Sequence, residues 1–234
     1  MPDSPQAFDA RLDQLRNDLV DQGRRVQAML EEAFEAVFNR NTERAKVAVQ
    51  KDDEIDAVDV ALEKTAVSLL GDATRQGASL TDVQLRTVLT IVKVNNELER
   101  IADCALEVAT CVGALRPDAP PYPGTFRVMA NSVVGILRDS CTSVAKGDPV
   151  LAKVVLQSQH AVTAFKDALL RDAETKLSNG AMPIDFAFHL HEIANQCELM
   201  ADHCTNIAEQ VIYLTTGGIV RHVESAWIEI PKSP

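Results

Sequence analysis

Four prolines fall within a short stretch at the middle of the chain, Pro117, Pro120, Pro121 and Pro123, while on both sides of them apolar residues recur at i, i+3 and i+4. A proline in a helix interior removes a backbone donor and clashes with the preceding turn, so no helix crosses Gly113 to Gly124. Elsewhere the 3.6-residue period demands helix, and strand-like alternation is absent. The chain therefore reads as all-α: three long helices, a proline linker, and three long helices.

Breakers and caps place the ends. Ser4 is the expected cap, with Pro5 in the first turn, of a helix running through Leu12, Leu15, Leu19, Val26, Leu30 and Val37 to Asn39. Asn41 caps the second, which carries Val47, Ile55, Val58, Leu62 and Leu69 and frays near Gly71 to Gly77. Ser79 to Asp82 opens the third, through Val88, Ile91, Leu98, Ile101, Ala105, Val108 and Val112. Beyond the linker, helices are expected at Thr125 to Lys146, at Pro149 to Leu177 with Asp148 as cap, and at Pro183 to Thr216.

The two halves align with each other. Leu30 matches Leu137, Ala45-Lys46-Val47 matches Ala152-Lys153-Val154, and Gln50 matches Gln157, all at one offset of 107 (137 − 30 = 152 − 45 = 157 − 50). In the third helix of each half, Glu99-Arg100-Ile101-Ala102-Asp103 faces Glu198-Leu199-Met200-Ala201-Asp202 at an offset of 99 (198 − 99), a shorter loop absorbing the difference. The expected organisation is a duplicated three-helix bundle: residues 1–113, a linker at 114–124, residues 125–222, and a tail at 223–234 that includes the single tryptophan, Trp227.

Composition narrows the function. The 234 residues are 46% hydrophobic, with 10 Gly and 10 Pro, which excludes a disordered or collagen-like chain, and no apolar run reaches the roughly 18 residues of a membrane span. Acidic residues outnumber basic ones 34 to 23, for a net charge of −11. That balance argues against a nucleic-acid backbone as partner and favours cations. Asp3 stands where a secretory signal would carry positive charge, so a cytoplasmic location is expected. The five cysteines are odd in number. Cys104 and Cys111, like Cys197 and Cys204, are seven apart, about 10 Å along a helix, too far for a disulfide or a shared metal. They read as small buried hydrophobes.

Acidic residues fall into stripes. Glu99 and Asp103 lie one turn apart, opposite the apolar stripe of the third helix; Asp52, Asp56, Asp59 and Glu63 line one face of the second; His191, Glu198, Asp202 and Glu209 line one face of the sixth. Carboxylates at i, i+4 repel by a few tenths of a kcal/mol unless a cation neutralises them. Such oxygen clusters suit hard cations, magnesium, calcium, manganese or iron, and the alternative is a solvated acidic face. A ferritin-like centre needs Glu three residues before His, and no His here has it. Nor is there a phosphate loop, Gly-x-Ser-x-Gly or His-Glu-x-x-His. His189 and His191 are two apart on a helix and point in different directions, which argues against a metal shared between them.

The stretches Glu97-Leu98-Glu99-Arg100-Ile101-Ala102-Asp103 and Glu198 to Glu209, followed by Tyr213-Leu214, Gly218 and Val220-Arg221-His222, resemble the PhoU family over nearly the whole chain. The resemblance implies two three-helix bundles and metal sites at Glu(Asp)-x-x-x-Asp motifs, here Asp52, Asp56, Glu99 and Asp103 in the first repeat and Glu198 and Asp202 in the second. It implies bound iron, zinc, magnesium or manganese. It further implies a non-enzymatic cytoplasmic regulator, dimeric, that links a phosphate ABC transporter to a membrane sensor histidine kinase and represses the phosphate-starvation response. The chain departs from the family pattern at Gln159 and Thr163, the equivalents of Asp52 and Asp56, and at Leu199, where the family has Arg. The second site is thus expected to bind metal more weakly, with Asn206, Glu209 or His191 as its remaining helpers. Two rivals stand beside this reading: a metal-dependent hydrolase that activates water on the acidic stripes, and a helical scaffold without metal.

Overall fold

The computed structural model describes residues 5–116, 118–223 and 226–230. Its helices are α1 (Pro5–Asn39), α2 (Thr42–Arg75), α3 (Asp82–Thr110), α4 (Gly124–Lys146), α5 (Pro149–Ser178) and α6 (Ile184–Thr216). A single 3₁₀ turn, Cys111–Ala114, leads α3 into the linker. Ser4 and Pro117 lie outside the described residues, so the expected cap of α1 does too.

Local chemistry sets these ends. The Asn41 side chain accepts from the amides of Glu43 and Arg44 at the start of α2, and Asp148 accepts from those of Val150 and Leu151 at the start of α5. The third helix is stopped upstream by a capping box between Thr81 and Gln84. Asn41 and Asp148 stand 107 residues apart (148 − 41), the offset read from the sequence.

Helices α1, α2 and α3 pack on one another, as do α4, α5 and α6, and the two sets meet where α3 lies against α6 and α1 against α4. One apolar cluster runs through both. It contains Leu15, Met29, Leu30, Ile55, Leu98 and Ile101 from the first set and Phe126, Met129, Leu137, Leu156, Ile193 and Met200 from the second. Gly23 permits the approach of α1 to α4, because a Cβ there would sit 2.8 Å from Cys141 Sγ. The cysteines are all free; Cys104, Cys111, Cys197 and Cys204 are buried, as expected, and Cys141 is partly so.

One element departs from the sequence reading. Ile219–Val223 (β1) and Ala226–Ile230 (β2) pair as an antiparallel hairpin, with Ile219 opposite Ile230 and Val223 opposite Ala226. Gly217, at φ 69°, ends α6 and turns the chain into it. Both segments are rich in β-branched residues, but neither shows the clean in–out period that marks a half-buried strand. No described helix is long and apolar enough to cross a membrane.

Candidate metal-binding faces

The structure brings the first four predicted carboxylates into one electrostatic neighbourhood. Asp52 and Asp56 stand on α2, and Glu99 and Asp103 on the neighbouring α3. Burial raises the Asp52 carboxyl above its usual range, and Asp56 and Asp103 raise it further. Asp103 is raised by burial and Asp56, against the pull of Arg100 and His203. Glu99 is raised by burial, Asp103, Asp59 and Asp56. No described side chain donates a hydrogen bond to, or pairs with, any of the four, and Asp52 Oδ1 is buried without a partner. They share a face without converging: among the described residues no group of three or more His, Cys, Asp or Glu is arranged to hold a metal ion. The donors, all anionic oxygens and one of them an orphaned buried acceptor, fit a hard cation.

In the second repeat, Glu198 and Asp202 on α6 face Gln159 and Thr163 on α5, as the alignment requires. The Thr163 hydroxyl donates to Glu198 Oε1 at 3.0 Å, and the Gln159 amide donates to Asp202 Oδ1. The sequence reading missed Lys166, whose Nζ lies 2.6 Å from Glu198 Oε2. Its signal was the offset of 107, which pairs it with Asp59 (59 + 107). The expected helpers are engaged elsewhere. Glu209, only 7% exposed, is paired at 3.0 Å with Arg221 of β1; Asn206 donates to Glu97; and His191 bonds Asn195. The residues of this repeat do not fit a metal as they stand.

A second network fastens the repeats together. Glu97 on α3 accepts from Asn206 at 3.0 Å and lies 2.8 Å from His203 Nδ1, both on α6. Burial would raise the Glu97 carboxyl, but these hydrogen bonds outweigh it and hold the group below its ordinary range. Beside this network a cleft of about 850 Å³ runs between α3 and α6, bordered by Lys93, Glu97, Asp202, Glu209 and Arg221. Farther along α6, buried His189 shares a 2.6 Å hydrogen bond with Tyr122 of the linker, while His191 is exposed, so the two histidines do point apart.

Comparison with known proteins matches this architecture at every level. A family model for the PhoU domain matches residues 19–112 and again 126–211. The phosphate-specific transport system accessory protein PhoU homolog of Zymomonas mobilis is 32% identical over 212 residues, 90% of this chain and 87% of the relative. The PhoU of Escherichia coli K12 is 25% identical over 92% of this chain and 88% of its own length. Among solved structures, PhoU from Pseudomonas aeruginosa superposes with a TM-score of 0.83 at 25% identity, covering 90% of this chain and 99% of the other. The phosphate transport system regulatory protein PhoU from Streptococcus pneumoniae has the same fold, with a TM-score of 0.83 at 22% identity, covering 93% and 99%. The chain, built from two copies of the same helical unit with an acidic face on each, is a member of the PhoU family.

Proposed function

We propose that this chain is a cytoplasmic, non-enzymatic regulator of phosphate uptake that couples the phosphate ABC transporter to a membrane sensor histidine kinase and represses phosphate-starvation signalling. It acts as a homodimer and reaches the membrane through its partners. The observation that carries this reading is the PhoU domain matched twice along the chain, together with relatives named as accessory proteins of the phosphate-specific transport system.

Within that role the first acidic face is the metal site. Asp52, Asp56, Glu99 and Asp103 would hold a metal cation, iron, zinc, magnesium or manganese, which would supply the positive charge this face lacks. The protein's own part is to present two carboxylates from α2 and two from α3 on helices fixed by a packed core. Tying them together tightens the α2–α3 contact.

Deleting the gene tests the regulatory role. Phosphate-starvation genes should then stay expressed in high phosphate, and the full chain should restore repression. Expression that stays low in the deletion strain, with no related second copy to compensate, overturns it.

A further inference from the structure

The two acidic faces differ most at a position outside the shared motifs. The offset of 107 that carries Asp52 to Gln159 and Asp56 to Thr163 also carries Asp59 to Lys166. The backbone secures this register, since the caps Asn41 and Asp148 and the left-handed residues Arg40 and Gly147 keep the same offset. The same helical turn therefore bears an anion in one repeat and a cation in the other.

In the first repeat Asp59 adds to the excess of negative charge: it raises Glu99, and is itself raised by burial, Glu63 and Asp56. In the second, Lys166 meets Glu198 at 2.6 Å, with side chains only 18% and 26% exposed. Thr163 and Gln159 take up further oxygens of Glu198 and Asp202. At this exposure the ion pair is screened by solvent and salt much less than a surface pair.

We propose that Lys166 is the resident cation of the second repeat: its ammonium closes the Glu198–Asp202 motif to metal, so that the chain takes metal on its first repeat alone. The proposal rests on the reading that the first face binds a hard cation. The physical basis is competition. A tethered ammonium is held at its carboxylate at high effective concentration, whereas a free metal ion must arrive from dilute solution, displace it, and leave a half-buried lysine without its partner. The α5–α6 contact is then fastened permanently, while the α2–α3 contact is fastened only when cation is available. The position occupied by Asp59 and Lys166 thus decides which repeat responds.

The test is Mn²⁺ titration of the purified full chain, counting free Mn²⁺ by electron paramagnetic resonance, with thermal melts to establish folding. The wild type should bind one ion per chain, and Asp103→Asn should weaken that binding at least tenfold. In the Asp103→Asn background, Lys166→Asp should create a site at least tenfold tighter than the background shows, and Asp202→Asn should remove it again. Lys166→Gln, similar in length and still able to donate to Glu198, should give a smaller gain of about threefold and decides the question if the aspartate variant does not fold. Folded Lys166 variants that gain no Mn²⁺ affinity overturn the proposal. A wild type that binds no Mn²⁺ instead overturns the metal reading of the first repeat, and the gain or absence of gain at Lys166 is still read in the same titrations.

Discussion

Arg40 and Gly147 occupy the same left-handed backbone position, at φ 49° and 59°, one at the end of α1 and the other at the end of α4. In each case the next amide reaches back into the helix: Asn41 to the Ala36 carbonyl and Asp148 to that of Ser143, both at 2.9 Å. Glycine takes this conformation freely, but arginine does so at a cost of about 1–2 kcal/mol. The arginine has an offsetting gain, since its guanidinium donates to the linker carbonyls of Ala119 at 2.9 Å and Pro120 at 2.6 Å.

Gly147→Ala should therefore destabilise the fold by about 1 kcal/mol, read as a lower urea midpoint at unchanged slope. The new Cβ would meet only Thr215 Cγ2, at an ordinary 3.9 Å, so the loss is one of backbone conformation and not of crowding. Arg40→Gly should be close to neutral in stability, while the linker gains protease sensitivity. A loss beyond about 2 kcal/mol for Arg40→Gly would show that the clamp outweighs the strain.

Gly23 gives the opposite sign from the usual helix rule. Glycine within a helix is ordinarily about 1 kcal/mol worse than alanine, yet here the alanine methyl would press on Cys141 Sγ. Gly23→Ala should lower stability by about 1–2 kcal/mol through overpacking. Adding Cys141→Ala should recover that loss, and a double-mutant cycle in thermal unfolding measures the coupling. Purely additive effects would show that α1 and α4 do not crowd there.

The four carboxylates of the first face should respond unlike the two of the second. Asp103→Asn or Asp52→Asn should remove most of the metal bound per chain after identical loading, and Asp202→Asn little. Without metal, Asp52→Asn should raise stability by about 0.5 kcal/mol, because it relieves like-charge repulsion. Equal metal losses in the three variants, or the largest loss for Asp202→Asn, would contradict the asymmetry.

His189 provides a pH dependence. Burial lowers its pKa, so the unfolded chain takes up a proton first as pH falls. The stability due to neutral His189 is whole above about 6.5, the ordinary histidine value, and is lost progressively as pH falls from there through the lower folded-state value. Melting midpoints followed from pH 7.5 to 5 should fall, and His189→Gln should flatten that slope.

The fold was legible because its punctuation is strong. Prolines, Asn41, Asp148 and the apolar period carry local information that tertiary packing did not override. The grouping of Asp52 with Asp56 and of Glu99 with Asp103 was legible for the same reason, since helical spacing alone puts each pair on one face of its helix. Lys166 was not, because a search for oxygen ligands passes over a lysine even when the repeat offset points to it. The pairing of Arg221 with Glu209 was not legible for another reason: it depends on how the hairpin folds back on α6, and that is long-range geometry no local pattern encodes.

The seam between the repeats joins like to like, α1 against α4 and α3 against α6, helices that correspond under the duplication. Contact between corresponding elements is the mark of an isologous interface, in which one patch meets its own copy about a two-fold axis. The chain thus has the form of a symmetric pair of half-length proteins sewn together by the proline linker. Covalent joining frees each half from having to match the other, so one half can present four unpaired carboxylates while the other pairs its own with a lysine.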